Sequence, residues 1–152
     1  MKRILFLDID GVLNSGEYAK KLDHTMITDG NGDFPDIDPE SMNRLNKIIN
    51  ETDCDIVLSS GWRTFPNIKE HLIECGLCKS IKDVTPVTFM SRGYEIYYYL
   101  HTNNWDKKYD KFVIIDDNDF DIRIKFPFNF VQTTFQYGLT DELTTEIINK
   151  LK

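Results

Sequence analysis

An α/β fold, built on a mainly parallel and roughly five-stranded sheet, is predicted by three features of this sequence. Apolar runs at residues 4–7, 56–58 and 112–115 show no alternation with polar residues, as in strands buried on both faces. Segments of helical period separate those runs. Acidic pairs follow directly on the first and third runs, at the carboxyl ends of strands, where open parallel sheets bind their ligands.

The elements follow in order. The run at residues 4–7 is the first strand. Asp38 caps a helix whose first residue is Pro39, and Met42, Leu45, Ile48 and Ile49 share one face of it. The strand at 56–58 comes next. Pro66 then starts a second helix, with Ile68, Leu72 and Ile73 on its apolar side, and Gly76 after Cys75 marks its end. A weaker strand is expected near residues 84–87. Ser91 caps a third helix with Ile96, Tyr97 and Leu100 facing inward. After the strand at 112–115, a further strand is expected at 130–133. Thr140 caps the last helix, with Leu143, Ile147, Ile148 and Leu151 inward. Residues 14–36 fit neither period. They hold Gly16, Gly30, Gly32 and Pro35 among polar residues and read as a flap or irregular loop, too short for a large cap domain.

A length of 152 residues suits one domain spanning 1–152. With 41% hydrophobic and 28% charged residues, the composition is that of an ordinary globular protein with one core. The balance of 25 acidic against 18 basic residues, net charge -7, argues against a broad nucleic-acid groove, because phosphate backbones are bound mainly by Lys and Arg. Lys2 and Arg3 precede an apolar run that stops at Asp8, too short for a secretory leader, and no stretch approaches a membrane span. The expected location is cytoplasmic, with no membrane partner. Cys75 and Cys78 form a lone CxxC without a second pair, which favours ordinary thiols over a zinc or redox site.

The carboxylates carry the functional argument. Asp8 and Asp10 follow the first strand, and Asp116 and Asp117 follow the strand at 112–115. Adjacent strand ends would bring all four together, and their mutual repulsion calls for a hard divalent cation with oxygen ligands, for which magnesium is well suited. Taken singly, such acids are ordinary turn formers and caps, and Asp119 and Asp121 are read that way. Ser59, Ser60 and Gly61 end the second run, where hydroxyls and free backbone N–H groups can cradle a phosphate. Arg92, at a helix start beside Gly93, can neutralise that phosphate, with Arg63 as competitor.

In this order the motifs resemble a known family. Asp8-Ile9-Asp10-Gly11-Val12-Leu13 resembles the first motif of the haloacid dehalogenase-like superfamily, and Ile56-Val57-Leu58-Ser59-Ser60 is similar to the second. Arg92 stands where the third has Lys or Arg, and Val113-Ile114-Ile115-Asp116-Asp117 resembles the fourth. Ser59-Ser60-Gly61-Trp62-Arg63, Arg92-Gly93-Tyr94-Glu95-Ile96 and Gly138-Leu139-Thr140 further resemble a small capless branch, the dehalogenase-like domain of RNA-repair proteins. The resemblance implies a Rossmann-like three-layer αβα sandwich.

It also implies a phosphatase that acts on phosphomonoesters through a phospho-aspartate. Asp8 would be the nucleophile and Asp10 the general acid and base. Mg²⁺ would be held by Asp8, the Asp10 carbonyl, Asp116 and, through water, Asp117. Ser59, Ser60 and Arg92 would bind the phosphate, and Arg63 the leaving group. Asp at position 10 favours ester hydrolysis over dehalogenation. The substrate would be a phosphorylated small molecule or a nucleic-acid end. Alternatives are a non-catalytic Mg²⁺- and phosphate-binding regulatory domain and a phosphotransferase. A response-regulator receiver ranks lower, because its paired acids follow the first strand, whereas Asp116-Asp117 come late.

Overall fold

A computed structural model describes residues 1–22, 27–28 and 33–152. Five strands form one sheet: β1 (Arg3–Leu7), β2 (Asp55–Leu58), β3 (Asp83–Val84), β4 (Lys111–Asp116) and β5 (Phe130–Gln132). Their order is β3-β2-β1-β4-β5, and every neighbouring pair is parallel. The chain therefore builds outward from β1 in one direction, then crosses to the other side to lay down β4. The carboxyl ends of β1 and β4 meet at that switch in strand order, with Leu7 opposite Ile115.

Helices cover both faces, as the two-sided burial of the strands requires. Leu5, Leu7, Ile56, Leu58, Val113 and Ile115 pack on one face against α2 (Pro39–Thr52), α3 (Ile68–Glu74) and α6 (Asp141–Leu151). The alternate residues Ile4, Phe6, Val57, Phe112 and Ile114 pack on the other face, against α4 (Arg92–Thr102) and α5 (Ile122–Lys125). This is the three-layer Rossmann-like α/β arrangement. The caps fall where the sequence puts them. Asp38 accepts from the Glu40 N–H, Ser91 from that of Tyr94 and Thr140 from that of Leu143.

Several details differ from expectation. Residues 14–36 are not wholly irregular: α1 (Gly16–Leu22) lies within them, started by Ser15, whose hydroxyl accepts from the Tyr18 N–H. Gly30 and Gly32 lie outside the described residues. The strand expected near 84–87 is the two-residue β3, and Val87 is exposed. The strand at 130–133 ends at Gln132, although Thr133 still bonds to the Asp116 carbonyl. Pro66 precedes α3 by two residues, because Asn67 intervenes in the left-handed region at φ 65°. Ile73 and Tyr97 face solvent; on α4 it is Tyr99 that packs on Phe6.

The three cysteines are free thiols. Among the described residues, no helix is long and apolar enough to cross a membrane.

Candidate active site

The end of β1 is held by both neighbours: the Asp8 N–H donates to the Ile115 carbonyl, and the Ser59 N–H to that of Leu7. After Asp8 the strand stops. Val12 and Leu13 both bond back to the Ile9 carbonyl, and Gly11 takes φ +76°. This bend resolves a problem of parity, since alternate residues of a straight strand face opposite sides, yet Asp8 and Asp10 line one cavity. Glycine is required at the bend for a second reason. A Cβ at position 11 would lie 2.3 Å from Asp117 Oδ2.

Asp8, Asp116 and Asp117 each offer a carboxylate oxygen, all within 4.8 Å of one another. Asp8 and Asp116 are buried and Asp117 is half-buried. Burial, then the charge of Asp116, pushes the Asp8 carboxyl well above its ordinary range, with Arg92 pulling the other way. The same two causes push Asp117 up to about 6. Such a set of crowded oxygen donors can hold a hard divalent cation, which would relieve the repulsion that now favours protonation. The donor set thus fits the Mg²⁺ that the sequence resemblance implies.

Arg92 lies in the same cluster. Its Nη1 is 2.6 Å from Asp116 Oδ2 and 3.3 Å from Asp8 Oδ1. Its guanidinium also stacks 4.8 Å from the Phe120 ring centroid. Burial works against its charge, but Asp116 and Asp8 outweigh that and hold its pKa above the ordinary value. The sequence pointed Arg92 at a phosphate; its partners here are the acids themselves.

Asp121, read from sequence as a turn or cap residue, does more. It accepts from the Gly93 N–H at 2.8 Å and from the Ser91 hydroxyl, fixing the start of α4 and hence Arg92. A Cβ on residue 93 would lie 2.7 Å from the Asp121 carboxyl carbon, which explains the glycine. A helix-start glycine beside a candidate arginine was the available signal.

Ser60 lines the cavity and caps a short 3₁₀ helix, Gly61–Thr64, by accepting from the Trp62 N–H. Ser59 Oγ is buried and, among the described residues, has no hydrogen-bond partner. Such a hydroxyl beside a strand end is suited to donate to an anion.

Arg63 is placed differently from its expected role at the leaving group. Its guanidinium donates to the carbonyls of Thr85, Ser60 and Pro86 and pairs with Glu95 at 2.7 Å. It borders a separate cavity rather than the acidic one. It ties the loop after β2 to β3 and α4.

Sequence reasoning also missed Trp62 and Asn14. The Trp62 indole Nε1 donates to Asp10 Oδ2 at 2.9 Å, and Asn14 Nδ2 donates to Asp10 Oδ1 at 3.0 Å. The cavity holds about 450 Å³, and Thr28, Phe65, Phe120 and Phe135 complete its wall beside the acids.

No curated protein matches the chain. A family model described as the HAD domain in Swiss Army Knife RNA repair proteins matches residues 4–143 and so takes in all four motifs. HAD domains form a superfamily of phosphatase-type hydrolases that generally use Mg²⁺. With the superfamily's acids gathered at the switch in strand order, the chain belongs to the family of HAD domains found in Swiss Army Knife RNA repair proteins.

Proposed function

We propose that this chain is a Mg²⁺-dependent phosphatase that hydrolyses phosphomonoesters through a phospho-Asp8 intermediate. The observation that carries the reading is the crowding of Asp8, Asp116 and Asp117 at the switch in strand order, with Arg92 paired to Asp8 and Asp116. Asp8, Asp116 and Asp117 would hold the cation, with the Asp10 carbonyl. When bound, the cation supplies positive charge that keeps Asp8 ionised and offsets the phosphoryl oxygens.

The side chains divide the rest of the chemistry. An Asp8 oxygen forms a bond to phosphorus as the bond from phosphorus to the ester oxygen breaks, and Asp10 gives its proton to that oxygen. In the second half, a water oxygen bonds to phosphorus and the Asp8–phosphorus bond breaks. Asp10 takes the water's proton and is restored. Ser59 and Ser60 donate to the phosphoryl oxygens, and Arg92 stabilises their charge in the transition state.

The leaving group we favour is a nucleotide or a nucleic-acid end. Phe120 and Phe135, both about half exposed at the cavity, offer faces for a base to stack on. The family's occurrence in RNA repair proteins points the same way. The net charge of -7 favours recognition of an end over a long backbone.

The test is a panel of phosphomonoesters, including 3′- and 5′-phosphorylated oligonucleotides, assayed with and without chelator. Acid-quenched protein is mapped in parallel for an acyl phosphate. Metal-dependent release of phosphate with label on Asp8 is expected. Absence of turnover across the panel, or label on another residue, would refute the reading.

A further inference from the structure

We infer that Trp62 is a positioning residue for Asp10, aiming its carboxyl at the leaving oxygen with the help of Asn14. This rests on the phosphatase reading above and adds residues to its machinery. Trp62 is buried, and its position is fixed at several points. Its backbone N–H is capped by Ser60 Oγ, its carbonyl accepts from the Phe65 N–H, and its ring packs 4.9 Å from that of Phe65. The indole N–H is thereby aimed at Asp10 Oδ2.

From the other side, fully buried Asn14 braces the bend itself. Its Oδ1 accepts from the Gly11 N–H at 2.9 Å, and its Nδ2 donates both to Asp10 Oδ1 and to the Asp36 carbonyl. Among the described residues, Asp10 is therefore gripped from the loop after β1 by Asn14 and from the loop after β2 by Trp62. That second loop also carries the serines, so phosphate cradle and acid are registered by a single turn.

Neutral donors suit a group that must both give and take a proton. A guanidinium would favour the carboxylate alone. An indole or amide N–H can donate to a carboxylate oxygen or to the carbonyl oxygen of the acid. Orientation then persists through both halves of the reaction, and the loss from a misaimed acid is greatest where the leaving group most needs a proton.

The experiment compares Trp62→Phe, which keeps the packing on Phe65 and removes the N–H, across esters of graded leaving-group basicity. Expected is a loss in kcat/KM of about thirtyfold on an alkyl phosphate, shrinking to a few fold on 2,4-dinitrophenyl phosphate. Asp10→Asn should show the same gradient with a larger loss, and the double variant should add little to it. An equal loss on every ester would make Trp62 merely structural and overturn the inference, as would no loss on any. A gradient in Asp10→Asn without one in Trp62→Phe would sink this inference alone; a wild type inactive on all esters would sink the phosphatase reading with it.

The wild-type fold can be asked the same question by NMR. The Trp62 indole N–H resonance should shift and lose protection from exchange in Asp10→Ala. An unmoved, equally protected resonance would mean that the contact is not made.

Discussion

At the amino end of the sheet, charge is matched and wet. Lys82 and Lys79 both reach Asp55 at the start of β2, at 2.5 and 3.3 Å, and Lys79 also reaches Asp53. The Lys2 N–H donates to Asp110 just before β4, and Arg3 Nε donates to the Leu151 carbonyl. At the carboxyl end, three acids crowd together, two of them buried, and Arg92 reaches Asp8 and Asp116. The same residue types thus serve opposite ends. Where charges are paired and solvated they contribute little and cost little. Where they are crowded and dry, the carboxylates of Asp8 and Asp117 are destabilised by burial and by Asp116, and the site favours whatever brings positive charge.

The sharpest way to break this contrast is Asp8→Asn. Turnover should fall by about 10⁴-fold or more, the scale of removing a nucleophile. Thermal stability should rise, because one of the crowded acids loses its charge. A variant that melts lower and keeps a tenth of its activity would reverse the assignment.

Arg92→Gln separates two roles that coincide in one side chain. The guanidinium competes with a metal for Asp8 and Asp116, so Mg²⁺ binding measured calorimetrically without substrate should tighten by about 3–10-fold. Turnover should nevertheless fall by about 10²–10³-fold on every substrate, since charge is lost where it develops on the phosphoryl group. Weaker Mg²⁺ binding would mean that the arginine supports the site rather than competing for it.

Arg63 lies at the same end yet behaves like a closed account, its partner Glu95 being equally buried. Arg63→Ala should cost about 3 kcal/mol in denaturant unfolding, because it leaves the buried Glu95 carboxylate without its paired charge and with only the Thr88 N–H as donor among the described residues. Activity of the remaining folded protein should fall alike on small and large esters. A selective loss on large esters would restore the leaving-group role.

Protons should report the crowding next. The folded-state pKa values of Asp8 and Asp117 are raised, so the native chain holds more protons than the unfolded one above the ordinary carboxylate value. Stability from these groups therefore falls as pH rises above the ordinary carboxylate value, through about 6 for Asp117 and through the raised value of Asp8. A bound cation reverses that loss. The Mg²⁺-induced rise in Tm should accordingly be larger at about pH 7.5 than at about pH 5. Equal rises at the two values would show that the acids are not the ligands.

How far the sequence foretold this differs between the two ends and follows from which interactions are local. The strands at 4–7, 56–58 and 112–115 and the caps Asp38, Ser91 and Thr140 are written in neighbouring residues and were legible. Of the four acids expected to meet, Asp8, Asp116 and Asp117 do, as strand ends and a switch in order imply, whereas the Asp10 carboxyl turns to Trp62 and Asn14. Contacts between distant loops were not legible. The indole of Trp62 reaching Asp10, Asp121 clamping Gly93, and Arg63 turning inward to Glu95 each depend on how a loop folds across a strand end. The helix α1 was hidden by its own glycine start and polar composition.

The smallest effect should come from the amino end, and its smallness is the point. Asp55 is partly exposed; burial works against its charge, but the hydrogen bonds from Lys82 and Lys79 outweigh it and lower its pKa below the ordinary value. For a lowered carboxylate the sign is the reverse of that at the active site: its contribution is present above the unfolded value and is lost as pH falls through the folded one. Asp55→Asn should therefore lower stability by no more than about 1 kcal/mol at neutral pH. The difference from wild type should vanish in acid and shrink in high salt, which screens the two lysines. Turnover and Mg²⁺ affinity should not change, because β2 separates this cluster from the acids at the other end of the sheet. A loss of several kcal/mol, or any shift in Mg²⁺ affinity, would mean that the two ends are coupled through the sheet and that their charges cannot be treated as separate systems.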